Sequence, residues 1–203
     1  MPDVVIIGAG IHGASAAYHL ARDGASVTVV EREFPASGPT GLSSAICRAY
    51  YTNRFLAEVA RDSIAMFADF EAASGGRDAS FRRTGFLYLH PEADAERVRN
   101  TTAALNELGI AVDLLTPDDL RSGFPDVNPD GIGIAAFERD AGYADPVGTT
   151  TGLLSWAQDH GAEVLNRSRV TAISAGDAGT IELATAGGRT LACDRLLIAA
   201  GPW

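Results

Sequence analysis

Two short runs of β-branched, mostly apolar residues near the amino terminus flank a segment of helix-forming residues. The runs Val4–Ile7 and Val27–Val30 predict buried parallel strands. Residues 14–22 between them predict a helix, and Gly24 supplies its stop signal. The opening of the chain therefore predicts a strand–helix–strand unit.

The same periodicities predict further elements along the rest of the chain. Helices are expected over residues 52–74, 91–108, from 116 onward and 146–160, with Thr52 as the cap of the first. One face of that first helix is expected to carry Phe55, Leu56, Val59, Ser63, Phe67 and Phe70. Strands are expected at 81–90, 111–115, 131–138, 162–165 and 196–199, and a small antiparallel meander at 169–174, 180–185 and 189–192.

Three glycines in G-x-G-x-x-G spacing follow the first strand. Gly8 permits the tight turn, Gly10 lets the backbone approach a pyrophosphate, and Gly13 lets the helix pack closely on the sheet. The helix amino terminus offers unpaired N–H groups to phosphates. Glu31, at the end of the second strand, can accept hydrogen bonds from ribose hydroxyls. This arrangement predicts a dinucleotide site; a plain strand–helix turn with incidental glycines is the alternative.

Composition excludes several classes of partner. The chain has 203 residues and a net charge of −10, which argues against nucleic acid or an anionic membrane as the main partner. No apolar run is long enough to span a bilayer, and the first strand begins too close to Met1 for a signal peptide, so we expect a cytoplasmic protein. All 16 basic residues are arginine, which excludes a lysine Schiff base within the chain.

Few other side chains indicate chemistry. The cysteines and histidines are scattered and predict no metal site; they are Cys47, Cys193, His12, His19, His90 and His160. Asp145 is expected to cap a helix and Tyr143 to pack, so neither is expected to be catalytic. Arg82 and Arg83 can face a substrate cavity or water, and the sequence leaves both open.

The sequence resembles the D-amino-acid-oxidase-like FAD-dependent oxidoreductases, especially the branch of sarcosine oxidase, dimethylglycine dehydrogenase and glycine oxidase. The resemblance covers essentially the whole chain and is carried, in this order, by GAGIHG with Glu31, TGLSS, FRRTGFLYL, GYADP and LLIAAGPW. Relatives continue well past the last motif, so we expect the chain to be an amino-terminal portion of such an enzyme.

The resemblance implies an α/β fold in two discontinuous parts. Residues 1–75 and 142–203 would form a Rossmann-like FAD-binding domain, with a parallel sheet and a small antiparallel meander. Residues 76–141 would form part of an inserted α+β, substrate-binding domain. The implied cofactor is FAD, held noncovalently, because no histidine follows the ribose-binding acid closely and a buried thiol is expected at Cys47.

The resemblance also implies site residues. FAD contacts are expected at Gly8, Gly10, Ile11, His12, Gly13, Glu31, Arg32, Thr40, Gly41, Ser43, Ser44, Val170, Ala200 and Gly201. Arg48 matches a basic position near the flavin ring, where a cation can stabilise the anionic reduced flavin or hold a substrate carboxylate. A salt bridge is the alternative for Arg48. Tyr50 and Tyr51 can reach the flavin pocket or pack in the core.

The implied activity is oxidation of the C–N bond of a secondary or tertiary amine or an amino acid such as sarcosine. Hydride would pass to flavin N5, and dioxygen or another acceptor would reoxidise the flavin. One alternative is a noncatalytic FAD-binding subunit or truncated module that needs a partner chain. Another is an NAD-dependent dehydrogenase, which shares the opening unit but lacks the TGLSS loop and the AAGPW ending.

Overall fold

The computed structural model describes residues 1–202, so Trp203, the last residue of the LLIAAGPW motif, lies outside the described residues. The chain divides into two compact units. The first consists of Met1–Ala45, Phe70–Ser80 and Asp145–Trp203. The second consists of Ile46–Asp69 and Phe81–Ala144.

The elements are numbered in chain order. The helices are α1 Ile11–Arg22, α2 Arg54–Ala68, α3 Phe70–Ala73, α4 Ala95–Glu107, α5 Pro117–Gly123 and α6 Pro146–Asp159. Short 3-10 helices lie at Glu92–Asp94 and Asp177–Gly179. The strands are β1 Val4–Ile7, β2 Val27–Val30, β3 Ile46–Cys47, β4 Arg82–Arg83, β5 Phe86–His90, β6 Val112–Leu115, β7 Ile134–Glu138, β8 Gly142–Tyr143, β9 Glu163–Leu165, β10 Val170–Ala175, β11 Ile181–Thr185, β12 Thr190–Cys193 and β13 Arg195–Ile198.

The first unit contains a parallel sheet with the strand order β13-β1-β2-β9. Every residue of β2 is buried, as expected for a strand covered on both faces. Because the strands run in one direction, their carboxyl ends meet at a single edge, where ligands of open α/β sheets bind. The predicted α/β class with a Rossmann-like sheet is confirmed.

Helix α1 packs closely on this sheet and on α6. Its buried residues recur at helical spacing and are Gly13, Ala14, Ala17, Tyr18 and Ala21. The Tyr18 ring lies 4.6 Å from the ring of Trp156 in α6, centroid to centroid. The Tyr18 hydroxyl donates to the carbonyl oxygen of Ala73 at 2.8 Å. These contacts fix the direction in which the amino terminus of α1 points.

The expected antiparallel meander is also present in the first unit. Strands β10, β11 and β12 pair in that order. Their apolar side packs with β1 and β2 in a core cluster of Val5, Val30, Leu183, Leu191 and Cys193. The meander is thereby fastened to the parallel sheet near the carboxyl ends of its strands.

The second unit combines helices with antiparallel sheets. One sheet has the order β3-β8-β4 and the other the order β5-β7-β6. Helices α2 and α4 supply buried residues to the core of this unit, including Ala57, Ile64, Val98 and Leu105. Two-residue strands such as β3 and β8 were not predicted, because so short a run has no measurable periodicity.

The predicted helix over residues 52–74 is wrong in extent. Asn53, not Thr52, caps α2, because its side chain accepts from the Leu56 N–H at 3.0 Å. The helix is interrupted at Asp69, and Phe70 is buried in the first unit, where its ring packs on Gly152.

The predicted apolar face of that helix is also wrong. Phe55, Leu56 and Val59 are exposed, with 70%, 48% and 47% of their surface accessible. The buried side chains of α2 are Ala57 and Ile64 instead.

The bounds of the two units differ from the expected division into 1–75 with 142–203 and 76–141, because residues 46–69 lie in the second unit and residues 76–80 in the first. Residues 46–69 belong to the second unit because β3, at their start, pairs with β8, which also pairs with β4. The expected strand at 81–90 is likewise split: Gly85 has φ of +70° and its N–H donates to the Ala141 carbonyl. The chain then leaves the β8 sheet and continues as β5, paired with β7.

Candidate functional site

The turn from β1 into α1 can be so tight only because of its glycines. Gly8 has φ of +104°, and a Cβ there would lie 2.4 Å from the Ala199 carbonyl oxygen. A Cβ on Gly13 would lie 1.9 Å from the carbonyl oxygen of Gly8. Neither approach is possible for a residue with a side chain, so the loop and α1 are pressed onto the end of the sheet.

Thr40 fastens a second loop to the start of α1. Its Oγ1 accepts from the Ile11 N–H at 3.1 Å, and no side chain of the cap residue Gly10 is available for that purpose. A Cβ on Gly10 would lie 3.1 Å from the same oxygen. The absence of a side chain at Gly10 therefore keeps open the space between the helix terminus and the loop. That space carries the positive end of the helix dipole.

Glu31 is a buried acid at the carboxyl end of β2, with only 8% of its surface accessible. Its Oε2 accepts from the Ala9 N–H at 2.8 Å, and its Oε1 accepts from the Glu33 N–H at 2.9 Å. A carboxylate offers about four acceptor positions, so two hydrogen bonds leave capacity for a ligand hydroxyl. The acid is thus oriented by the backbone before any ligand binds.

These groups line two cavities that adjoin at Gly8, Glu31, Arg32 and Ala200. The larger has a volume of about 370 Å³ and the smaller of about 230 Å³. Of the residues predicted to contact the cofactor, the larger is lined by Gly8, Gly10, Ile11, His12, Glu31, Arg32, Thr40, Ser43, Ala200 and Gly201. Val170 lines the smaller one.

The structure does not place the other predicted residues on these walls. Gly13 lies beneath the loop, where it permits the close approach to Gly8. Gly41 packs in the same manner, because a Cβ on it would lie 2.3 Å from the Ala36 carbonyl oxygen. Ser44 is exposed and is not a wall residue of either cavity.

Several wall residues were not singled out from the sequence. They are Ala36, Ser37, Gly38 and Pro39 in the larger cavity and Ser168 and Arg169 in the smaller one. The first four lie in a stretch whose Gly, Ser and Pro content predicts an ordered loop, but composition does not specify which residues face a ligand. The last two reach the site because β9 pairs with β2, which the sequence does not specify.

The residues present fit a dinucleotide. The larger cavity meets a helix amino terminus and a glycine turn, which suit a pyrophosphate. The oriented Glu31 carboxylate stands where the two cavities adjoin and suits a ribose. The smaller cavity, between the ends of β1 and β2 and the backbone around Val170, suits a flat base.

Arg48, the predicted cation, lies in the second unit in an aromatic environment. Its guanidinium carbon is 4.9 Å from the centroid of the Tyr51 ring and 6.0 Å from that of Tyr88. Its Nη1 donates to the Tyr50 carbonyl oxygen at 3.2 Å. Among residues 1–202, none of the ion pairs includes Arg48. The structure therefore offers no salt bridge as its role.

Next to Arg48 lies a buried acid that sequence reasoning missed. Glu138, at the end of β7, is 1% exposed and accepts from the N–H groups of Ala49 and Tyr50, at 2.6 and 3.1 Å, and from the Tyr88 hydroxyl at 3.1 Å. Burial raises the pKa of the Glu138 carboxyl, against the lowering effect of these hydrogen bonds and of the Arg48 charge. Burial and the Glu138 charge raise the pKa of the Tyr88 hydroxyl.

Of the remaining candidates, Tyr143 does not pack as expected, because 48% of its surface is accessible. Asp145 caps α6, since its side chain accepts from the Val147 N–H at 2.9 Å. Arg82 and Arg83 are both exposed, and Arg83 pairs with Asp140 at 3.3 Å. Cys47 is half-buried, and burial raises the pKa of its thiol.

Across residues 1–202, none of the helices combines the length and apolar character needed to cross a membrane. The same stretch holds no group of three or more His, Cys, Asp or Glu side chains that could bind a metal ion.

Comparison with known families gives a match along almost the entire chain. The family model "DAO: FAD dependent oxidoreductase" matches residues 3–203. The chain is 27% identical over 204 residues to monomeric sarcosine oxidase of Bacillus sp. (strain B-0618), which covers 99% of this chain and 51% of that protein. It is 26% identical to mitochondrial dimethylglycine dehydrogenase of Rattus norvegicus, with 99% of this chain and 24% of that protein covered.

Solved structures show the same similarity in three dimensions. L-proline dehydrogenase from P. horikoshii superposes with a TM-score of 0.90 at 25% identity, covering 100% of this chain and 53% of that one. Glycine oxidase from Bacillus cereus ATCC 14579 superposes with a TM-score of 0.84 at 25% identity, covering 100% and 56%. The chain thus spans about half the length of this sarcosine oxidase and of both structures.

Proposed function

Because the chain belongs to the family of FAD-dependent oxidoreductases, we propose that its protein oxidises the C–N bond of a secondary or tertiary amine or an amino acid. The observation that carries the proposal is the pair of adjoining cavities around Glu31 at the carboxyl edge of the parallel sheet. The similar proteins are named for sarcosine, dimethylglycine, L-proline and glycine. All four compounds carry a carboxylate one carbon away from the nitrogen.

The first unit holds the cofactor in this proposal. The N–H groups at the start of α1 and the glycine turn bind the pyrophosphate, and Glu31 binds the ribose. Thr40 keeps its loop against the helix terminus through its hydrogen bond from the Ile11 N–H. Bound FAD supplies the hydride acceptor, flavin N5, for the hydrogen on the carbon next to the substrate nitrogen. Water would hydrolyse the imine product, and dioxygen or another acceptor would take up the electrons.

The second unit contributes to substrate binding in this proposal, and Arg48 is its candidate residue. A half-buried guanidinium with aromatic neighbours and no ion pair closer than 4.0 Å among residues 1–202 suits an anionic ligand. The carboxylate shared by the relatives' substrates has the matching charge, and Arg binds it through planar, charge-assisted hydrogen bonds. Arg48 thus selects amines that carry an acid group.

Turnover of the purified full-length, FAD-loaded protein tests this proposal. Sarcosine, L-proline and glycine are compared with dimethylamine and pyrrolidine, which have the nitrogen but no carboxylate. We expect flavin bleaching under anaerobic conditions with at least one of the acids and not with the amines. Bleaching by none of them, with FAD bound, would favour the alternative of a noncatalytic FAD-binding module.

A further inference from the structure

The side chain of Arg48 is held by aromatic rings and a backbone carbonyl. Two aromatic rings and one backbone carbonyl lie next to its guanidinium. Tyr50 and Tyr51 lie in the segment directly after Arg48, and Tyr88 lies on β5. The planar guanidinium of Arg48 must keep one orientation to form two hydrogen bonds to a carboxylate. Any residue that holds its neighbours in place therefore also affects how tightly the site binds a carboxylate.

Glu138 contacts two of these three groups, the backbone of Tyr50 and the hydroxyl of Tyr88. Its two carboxylate oxygens accept from the N–H groups of Ala49 and Tyr50, and one of them also accepts from the Tyr88 hydroxyl. The Tyr50 and Tyr88 rings stack, with their centroids 4.3 Å apart. One side chain on β7 therefore fixes both the backbone that follows Arg48 and an aromatic ring beside its guanidinium.

We propose that Glu138 is a positioning residue for Arg48, and that it sets the affinity of the protein for the substrate carboxylate without touching the substrate. The inference rests on the proposed role of Arg48 as the carboxylate-binding residue. It gives a role to a buried charged group whose hydrogen-bond partners Ala49, Tyr50 and Tyr88 belong to or pack against the apolar core of the unit.

Only a carboxylate meets the requirements at position 138. The three groups that face it are all donors, and a carboxylate is an acceptor at both oxygens. Glutamine has nearly the same shape, but its NH₂ group would oppose one of the donors. A buried charge is costly unless it is hydrogen-bonded, so packing alone gives no reason for an acid here. The three hydrogen bonds explain why an acid occupies position 138.

A positioning role and a simple charge effect predict opposite changes in anion affinity when Glu138 is replaced. The charges of Glu138 and Arg48 interact, since Arg48 lowers the pKa of the Glu138 carboxyl. If this attraction were all, removing the negative charge would free the positive field of Arg48 and strengthen the binding of anions. If Glu138 positions Arg48, its removal weakens their binding.

The test measures acetate binding to the FAD-loaded full-length protein by calorimetry, together with KM and kcat for its amino-acid substrate. For Glu138→Gln we expect the dissociation constant for acetate and the KM to rise about tenfold, while kcat changes less than about twofold. The matched control is Glu107→Gln, the same substitution at an exposed position of α4 in the same unit, which leaves both values unchanged. Unchanged or tighter acetate binding in Glu138→Gln would overturn the proposal.

Arg48→Gln separates this inference from the function on which it rests. If Arg48→Gln binds acetate as wild type does, the proposed role of Arg48 fails and Glu138 has nothing to position. If Arg48→Gln loses binding and Glu138→Gln keeps it, only the positioning role is refuted.

Tyr88→Phe keeps the proposal testable if Glu138→Gln does not fold. This change removes the hydroxyl, which donates to Glu138 and also interacts with Arg48, and it retains the ring beside Arg48. We expect it to weaken acetate binding about threefold, since one of three hydrogen bonds to the carboxylate is lost. Wild-type affinity in a folded Tyr88→Phe protein would count against the proposal.

Discussion

Glu31 has both oxygens oriented by backbone N–H groups, at Ala9 and Glu33, and retains acceptor capacity for a ribose. Replacing it with glutamine removes the charge and turns an amide donor toward one of these N–H groups. Since a hydrogen bond to a charged group contributes about 1.5–3 kcal/mol, Glu31→Gln should raise the dissociation constant for FAD about ten- to a hundredfold. Calorimetric titration of the apoprotein with FAD measures this.

Glu33 offers the matched control for that titration. It lies two positions further on, its side chain is exposed, and its contribution to Glu31 is its backbone N–H. Glu33→Gln should bind FAD as wild type does. Equal affinity of wild type and Glu31→Gln would refute the ribose assignment.

Glu138 predicts a pH dependence of stability with a definite sign. Burial raises the pKa of its carboxyl above the ordinary value of 4.5, so the folded protein holds this proton more tightly than the unfolded chain does. The stabilisation from that proton is complete below pH 4.5 and is lost as pH rises through the folded-state pKa. Relative to Glu138→Gln, wild type should therefore lose stability as pH rises above 4.5.

Urea unfolding at several pH values, with the midpoint of each variant compared at each pH, measures this difference. A gap between wild type and Glu138→Gln that is constant across the range, or that changes in the other direction, would contradict the assignment. Glu107→Gln, at an exposed position, should follow wild type at every pH.

At the scale of residues, the sequence specifies the dinucleotide turn but not the acid beside Arg48. The glycine turn and Glu31 form a local pattern whose spacing has a mechanism of its own. The hydrogen bonds from the Ala49 and Tyr50 N–H groups to Glu138 join positions about ninety residues apart. The pattern of apolar and polar residues in β7 does not distinguish Glu138 from an ordinary polar residue at the end of a strand.

At the scale of elements, α2 allows a test of which residue caps the start of a helix. Both Thr52 and Asn53 are suitable caps by residue type, and the structure uses the Asn53 side chain. Asn53→Ala should therefore lower the free energy of unfolding by about 1 kcal/mol, whereas Thr52→Ala should change it little. Thermal unfolding of the two variants decides between the positions, and a larger loss for Thr52→Ala would refute the observed cap.

The elements that the sequence misplaces are those bounded by contacts distant in sequence. Residues 52–74 contain strong helix formers throughout, and the interruption before Phe70 accompanies its packing on Gly152 in α6. The split of the strand at 81–90 depends on the hydrogen bond from Gly85 to Ala141. Helix α6, by contrast, has its cap and its first-turn proline side by side in the sequence, and its start was predicted correctly.

At the scale of the whole molecule, sheet pairing decides which segments belong together. The expected division follows changes of pattern along the chain, whereas the structure places 46–69 with 81–144 because β3, β4 and β8 form one sheet. The parallel sheet was predictable because its βαβ opening and its last strand are continuous apolar runs.

The most direct test of the central claim is a comparison of FAD and NADH as ligands of the purified protein. Cavities that open at a glycine turn and adjoin at Glu31 suit either dinucleotide, and membership of the FAD-dependent family selects between them. Calorimetric titration of the apoprotein should show saturable binding of one FAD per chain, a rise in melting temperature with FAD, and neither effect with NADH. Binding of NADH in preference to FAD, or of neither, would contradict the account.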